Sequence, residues 1–140
     1  MASYLAERNE HGLILNNILL SVIALAQTES LFAPITIGAL PVNNGLCMAI
    51  GSGYDAEMYG NAASYSTISI VFNGKHNDQS VLLDALYRVH KRLTTNWNYP
   101  EGDGFQITAI ETDAAPSYLD RDDNGMWLYG SALRVYYYRR

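Results

Sequence analysis

The sequence predicts an α+β fold: one four-stranded, mostly antiparallel sheet with two helices packed on one face. Apolar residues recur at helical spacing in two segments, one ending near Thr28 and one following Asp78. Residues 67–72 alternate between apolar and polar side chains, which is typical of a half-buried strand. Residues 126–138 are dense in Trp, Leu, Val and Tyr, which favour a pleated sheet. The predicted order is therefore helix, strand, strand, helix, strand, strand.

The first helix is predicted over residues 4–28. Ser3 can cap it, and Glu7 lies where a carboxylate favours the positive end of the helix dipole. Its buried face is an apolar series at helical spacing, formed by Leu15, Ile18, Leu19, Val22, Ile23 and Ala26. The apolar run 13–26 is shorter than the ~20 residues that span a bilayer. Because Glu7 and Glu10 stand where a signal peptide needs positive charge, we expect neither a membrane span nor a signal.

Two strands are predicted between the helices. Residues 46–51 form a short apolar run bounded by glycines, which reads as a strand. In residues 66–73, Ile68, Ile70 and Phe72 share one face, and we expect that face to be buried.

Four connections are predicted from Gly, Pro, Asn and Asp. They cover residues 34–45, 53–65, 97–104 and 114–125. The second is small and polar with tyrosines interspersed, so the sequence predicts a mobile connection there. The last contains Pro116, is acidic and closes on Gly125, which indicates a tight turn.

The second helix is predicted from Asp78, its N-cap, to about Thr95. Its apolar stripe is formed by Leu82, Leu86, Val89 and Leu93. Its cations gather in the last turns, where they oppose the negative end of the helix dipole, and they are Arg88, Lys91 and Arg92. That placement explains the basic cluster without a ligand.

The third and fourth strands are predicted at residues 105–113 and 126–138. A long strand that ends a small chain must pair centrally or lie against another subunit, because a bare edge invites aggregation. The fourth strand therefore favours a structural, self-associating protein.

Length and composition predict one domain over residues 1–140, with the helix at 4–28 and a sheet-and-helix core at 46–138. Charged residues make up only 16% of the chain and eleven residues are Tyr. This composition indicates either a surface covered by partners or a β-rich core that uses Tyr.

A net charge of −5 argues against binding nucleic acid or anionic membrane. The single Cys47 excludes an internal disulfide and lies in an apolar run, so we expect a buried thiol.

Residues 120–125 resemble the first half of a calcium-binding loop. Asp120, Asp122 and Asn124 occupy positions 1, 3 and 5, and Gly125 occupies position 6. The twelfth position, where a bidentate Glu is needed, is Ser131, and the flanks are not helical. We therefore favour a carboxylate-rich turn and keep a small calcium-binding module as the alternative function.

No catalytic template matches the chain. Gly-rich fragments lack the remainder of a phosphate loop, and the His residues are scattered, with His90 expected to be solvated or packed. The carboxylate pairs Asp55/Glu57 and Glu111/Asp113 are expected to lie on solvated faces of strands. We predict no enzyme, no cofactor and no metal, and an enzyme with an unrecognised site is the weakest hypothesis.

Three segments give the chain a family resemblance over about residues 46–140. In the first, residues 67–72 lead through Asn77-Asp78-Gln79 into residues 82–86. In the second, residues 110–112 precede Pro116-Ser117-Tyr118. In the third, which is the most specific, residues 120–125 lead into residues 127–135. In these segments the chain resembles minor capsid proteins of long-tailed bacteriophages, which are similar in fold to tail-terminator proteins.

The resemblance implies a structural virion protein made in the host cytoplasm. It implies a ring, a hexamer being the expected form, that terminates the tail tube and joins it to the head connector. The partners would be the chain itself, the tail tube protein and the head connector protein. No catalytic or cofactor residue comes with the family. From composition, we predict a separate assembly interface in the 53–65 segment, formed by Tyr54, Met58, Tyr59 and Tyr65.

Overall fold

The computed structural model describes residues 2–58, 64–96 and 98–139, and side chains at 12–51, 65–96 and 98–139. It contains two helices and six strands in these ranges. In chain order they are α1 (Ala2–Ala26), β1 (Ile35–Ile37), β2 (Gly45–Met58), β3 (Ser64–His76), α2 (Gln79–Thr94), β4 (Glu101–Gly102), β5 (Phe105–Arg121) and β6 (Trp127–Arg139).

All six strands form one mixed sheet in the order β1-β2-β3-β6-β5-β4. The pair β1·β2 is parallel, and the other four pairs are antiparallel. The prediction of a four-stranded, mostly antiparallel sheet is therefore wrong. It missed β1 and β4, which have only three and two residues and are too short to show an alternating pattern.

The predicted loop 53–65 is wrong over most of its length, because β2 continues to Met58 and β3 begins at Ser64. The register of β2 against β3 shifts between Ile50 and Tyr54. Gly51-Ser52-Gly53 therefore forms an irregularity that interrupts the sequence pattern without ending the strand. Residues 59–63, the rest of this predicted loop, lie outside the described residues.

Strand β5 is also longer than predicted, since it runs past Asp113 to Arg121. Its pairing with β6 shifts register four times, and two of these shifts flank Ala114. Bulges of this kind destroy the two-residue period by which a strand is recognised in sequence. The acidic turn is correspondingly shorter than predicted, with Gly125 at φ +78° and hydrogen bonds between Asp122 and Met126.

The core lies between the sheet and both helices. Ile68, Ile70 and Phe72 are at most 1% exposed, which confirms the predicted face of β3. The predicted stripe of α2 is buried as well, as are most of the apolar positions of α1. From β6, the alternate residues Tyr129, Ser131, Leu133, Val135 and Tyr137 enter this core. The opposite face of the sheet, which we call the helix-free face, carries the intervening residues.

Helix α2 begins as predicted at Asp78. The Asp78 carboxylate accepts hydrogen bonds from the amides of Ser80, at 3.0 Å, and Val81. Lys91 and Arg92 lie in its last turn. Among the residues that the structure describes, neither helix has the length and hydropathy that a membrane crossing requires.

Gly74 allows α2 to approach β3 closely. A Cβ at this position would lie 2.4 Å from Leu82 Cδ1 and 3.0 Å from Leu46 Cδ2, and both side chains are fully buried. We expect Gly74→Ala to lower the free energy of unfolding by about 1–3 kcal/mol, because overpacking forces the surrounding side chains out of position. The measurement is urea unfolding followed by circular dichroism.

Gly51→Ala is the matched control for this prediction. A Cβ there would meet its nearest atoms at 3.4 Å, which is ordinary contact, so we expect little change in stability. Equal effects of the two substitutions would contradict the close packing of α2 against Gly74.

Candidate assembly surface

Three of the four predicted interface residues lie at one end of the β2–β3 pair. Met58 pairs with Ser64, and Tyr54 pairs with Ile68, so the backbones of both residues belong to β2. Tyr65 is the next residue of β3 and is 56% exposed. Tyr59 lies outside the described residues. The side chains of Tyr54 and Met58 are also not described, so the structure places only Tyr65 as an exposed aromatic ring.

Tyr65 belongs to a tyrosine pair that bridges two strands. Its ring centroid lies 5.1 Å from that of Tyr138, its register partner on β6, with the planes inclined by 56°. Aromatic pairs at this separation stabilise each other beyond the area they bury. The pair therefore holds an exposed tyrosine in a defined orientation.

Tyr65 also borders a groove of about 630 Å³ that is formed by β3, β5 and β6. The other residues that contribute exposed or half-buried side chains to it are Thr67, Thr108, Ala109, Glu111, Arg134 and Tyr136. These residues come from three distant parts of the sequence. The groove could not be predicted from the sequence, because the groove depends on the register of the three strands.

The charged groups in and beside this groove are hydrogen-bonded within the sheet. Arg134 Nη2 donates to Asp113 Oδ1 at 3.0 Å, and Tyr136 Oη donates to Glu111 Oε2 at 3.1 Å. The hydrogen bond with Tyr136 and the Asp113 carboxylate raise the pKa of Arg134 above its usual value. The surface thus presents hydroxyl groups and tyrosine rings with one ion pair and one further carboxylate, a composition suited to contact with protein.

The acidic segment that is predicted to be a carboxylate-rich turn contains a hydrogen-bonded turn around Asp122. Asp122 Oδ1 accepts from the amides of Met126 and Asn124 at 2.9 and 3.0 Å, and Asp122 Oδ2 pairs with Lys75 Nζ at 3.2 Å. The Met126 amide, with Lys75 and Asn124, holds the pKa of Asp122 below its usual value. Within the described part of the chain, no three His, Cys, Asp or Glu side chains converge to hold a metal ion.

We expect Asp122→Ala to lower the midpoint of thermal unfolding, because two backbone amides and Lys75 lose their acceptor. Asp123→Ala removes the same charge from an exposed neighbour in the same turn and should leave the midpoint unchanged. The test is differential scanning calorimetry with and without calcium. A stabilisation of the parent chain by calcium that Asp122→Ala abolishes would restore the calcium-binding alternative.

His90 is buried and packed, which is one of the two environments predicted for it. Its Nδ1 lies 2.8 Å from Thr112 Oγ1 and its Nε2 lies 2.8 Å from Ser131 Oγ, which itself donates to the Phe72 carbonyl at 2.7 Å. Burial lowers the pKa of His90 to about 4. Cys47 is buried as predicted, and burial raises the pKa of its thiol.

Comparisons with known proteins decide the family. Residues 7–139 match the sequence profile of the family described as bacteriophage tail terminator protein. The chain belongs to this family. Tail terminators are phage structural proteins, so the chain is a structural component of a virion and functions among other phage proteins. This confirms the resemblance drawn from the sequence.

A solved structure has the same fold as this tail terminator. It is a chain of the "Virion of native gene transfer agent (GTA) particle", aligned with a TM-score of 0.53 at 11% sequence identity. The alignment covers 82% of this chain and 82% of that chain. A comparison with curated protein sequences gave no match.

Proposed function

We propose that this tail terminator assembles into a closed ring, a hexamer, that ends the tail tube and joins it to the head connector. The observation that carries the proposal is the family match, which spans residues 7–139 and thus nearly the whole chain. The fold supports it, because both helices cover one face of the sheet and leave the helix-free face open for partners. No step of this function requires chemistry by a side chain.

The net charge of −5 suits a ring through which DNA must pass. A basic lumen would bind phosphates through counterion release and retain the genome. An acidic ring repels the DNA and allows it to slide.

The contact with the tail tube is assigned to the predicted interface residues Tyr54, Met58, Tyr59 and Tyr65. Tyr65 supports the assignment, since it is exposed, held by Tyr138 and continuous with the groove. Exposed tyrosines that are held in one orientation lose little entropy on binding and often dominate the energy of an interface.

The ring function is tested in a phage whose gene for this chain is deleted. We expect electron microscopy of the lysate to show heads without tails and tubes of irregular length. Supplying the intact chain from a plasmid should restore tailed, infectious particles. Normal tailed particles from the deletion phage would overturn the proposed function.

The tyrosine assignment is tested in the same complementation assay. Tyr65→Ala should reduce the yield of infectious particles by about tenfold or more while the purified chain remains folded. Tyr87→Ala is the matched control, because Tyr87 is 55% exposed but lies on α2. Equal yields from the two variants would remove Tyr65 from the contact.

A further inference from the structure

The sheet has two long edges that are open within the described residues. On one side, β1 pairs only with residues 46–48 of β2, so β2 has β3 as its one strand partner from Ala49 to Met58 among the described residues. On the other side, β4 pairs only with Phe105 and Gln106 of β5. At Ile107 the N–H donates to the Pro100 carbonyl and the carbonyl accepts from Gln106 Nε2, and from there to Arg121 β5 has β6 as its one strand partner among the described residues.

An open edge of this length requires an explanation. Unpaired N–H and C=O groups along a strand form a template for another strand, and proteins usually cover or shorten such edges. Here each edge leaves about ten or more residues without a strand partner, and residues 111–121 of β5 are exposed apart from Pro116. Both edges are suited to receive a strand from a partner.

The two edges have opposite strand directions. Three successive antiparallel pairings separate them, β2 with β3, β3 with β6, and β6 with β5. Strand β5 therefore runs antiparallel to β2. If a second copy is placed beside the first by a rotation about an axis along the strands, β5 of one copy lies antiparallel to β2 of the next. The sheet then continues from copy to copy in its own antiparallel pattern.

The open parts also coincide in height along the sheet. Ala49 pairs with Val71, Val71 pairs with Ala132, and Ala132 pairs with Ala114. Ala49 and Ala114 thus stand at the same level on opposite edges, and each is a small residue that permits close approach. Near this level, Asp113 is paired with Arg134 and the Glu111 carboxylate accepts a hydrogen bond from Tyr136, so both side chains already have partners within the subunit.

We propose that the occupant of each edge is a second copy of this chain, with β5 of one subunit pairing along β2 of the next. This inference rests on the proposed ring and names its subunit interface. The interface is heterologous, because two different edges meet, and repetition of a heterologous contact closes a ring when the rotation permits. The same arrangement protects every edge from unspecific pairing, as closure does in a barrel.

The experiment is cysteine cross-linking in a Cys47→Ala background. Ala49→Cys is combined in the same chain with one partner on β5, chosen in turn from its small residues Ala109, Ala114, Ala115 and Ser117. Opposed residues on neighbouring strands lie about 4.5–5.5 Å apart at Cα, within the range of a disulfide. The set of four allows for a stagger between the subunits. Assemblies are oxidised both in solution and in tails isolated from lysates, and are separated on denaturing gels.

We expect at least one pair to give a ladder of bands at multiples of 15.5 kDa that vanishes on reduction. Ala49→Cys with Ala132→Cys is the matched control, because Ala132 stands at the same level on β6, between β3 and β5. It should give no ladder. The single variants Ala49→Cys and Ala114→Cys should also give none, since equivalent residues do not meet in a heterologous contact.

Three outcomes would contradict the proposal, and each has a different meaning. Rings seen by electron microscopy or light scattering that no cysteine pair cross-links would overturn the edge pairing and leave the ring in place. A chain that forms no oligomer in solution or in tails would overturn the proposed ring together with its interface. A dimer cross-linked by a single variant would establish a two-fold contact and contradict the proposal.

Discussion

Ile68→Asp is expected to abolish the folded state at ordinary temperature. Ile68 is 1% exposed and lies on the core face of β3, between Val135 on β6 and Tyr54 on β2. The buried residues that the structure describes include no Lys or Arg that could pair with a carboxylate there. Burying it costs about 4 kcal/mol or more, or forces it to remain protonated. Typical domains have only about 5–15 kcal/mol of stability in total, so a large part is lost.

Ser69→Asp is the matched control on the same strand. Ser69 is half-buried on the helix-free face and is the register partner of Arg134, whose charge favours a carboxylate. We expect Ser69→Asp to unfold in urea within about 1 kcal/mol of the parent chain. If Ile68→Asp were tolerated as well as Ser69→Asp, the assignment of the two faces of β3 would be wrong.

The helices and the centre of the sheet could be predicted because burial imposes a period on their sequences. The stripe of α2, the N-cap at Asp78 and the alternation around Ile68 all follow from local rules of geometry and solvation. The helix bounds differ from the prediction by about two residues at most, and the buried positions of α2 agree with it.

The open edges could not be predicted, because burial imposes no such period on their sequences. Residues 111–115 of β5 are exposed on both faces, so no period of burial marks them as a strand. At Gly51–Gly53 and around Ala114, register shifts break the alternation where the strand continues. The sequence therefore predicts loops in these segments, although the backbone pairs across them.

The candidate surface was predictable only in part. The exposure of Tyr65 could be predicted, because the surrounding sequence is polar. Its neighbours in the groove, Thr108 and Arg134, could not, because strand register alone brings them close to it. The predicted contact of Tyr54, Met58 and Tyr59 with a partner stays a prediction. The family resemblance rested on short segments from residue 67 onwards, and the match extends it to residue 7.

The polar network around His90 predicts a specific dependence of stability on pH. Ser131 gives its only hydroxyl hydrogen to the Phe72 carbonyl, so it must accept a hydrogen bond from His90 Nε2. His90 Nδ1 then accepts from the Thr112 hydroxyl. The neutral imidazole satisfies every group in the network, whereas the charged form loses hydration without gaining a partner of opposite charge. This explains why burial lowers the pKa of His90 to about 4 from 6.5.

The sign of the effect follows from proton binding in the two states. Above about pH 6.5, His90 is neutral in both the folded and the unfolded chain, and its contribution is fully present. As the pH falls from 6.5 towards 4, the unfolded chain binds a proton that the folded chain does not. The free energy of unfolding then falls by about 1.4 kcal/mol per pH unit, or about 3 kcal/mol across the window.

His90→Gln isolates this contribution from the titration of carboxylates. Glutamine supplies an N–H for Ser131 and does not titrate, so we expect the variant to be less stable than the parent at pH 8 but to lose less stability between pH 6.5 and 4. Urea unfolding at half-unit pH intervals gives the two curves, and their difference should have a slope only in that window. Parallel curves would mean that His90 has the same pKa in the folded and the unfolded chain, which would contradict its burial as a neutral ring between Thr112 and Ser131.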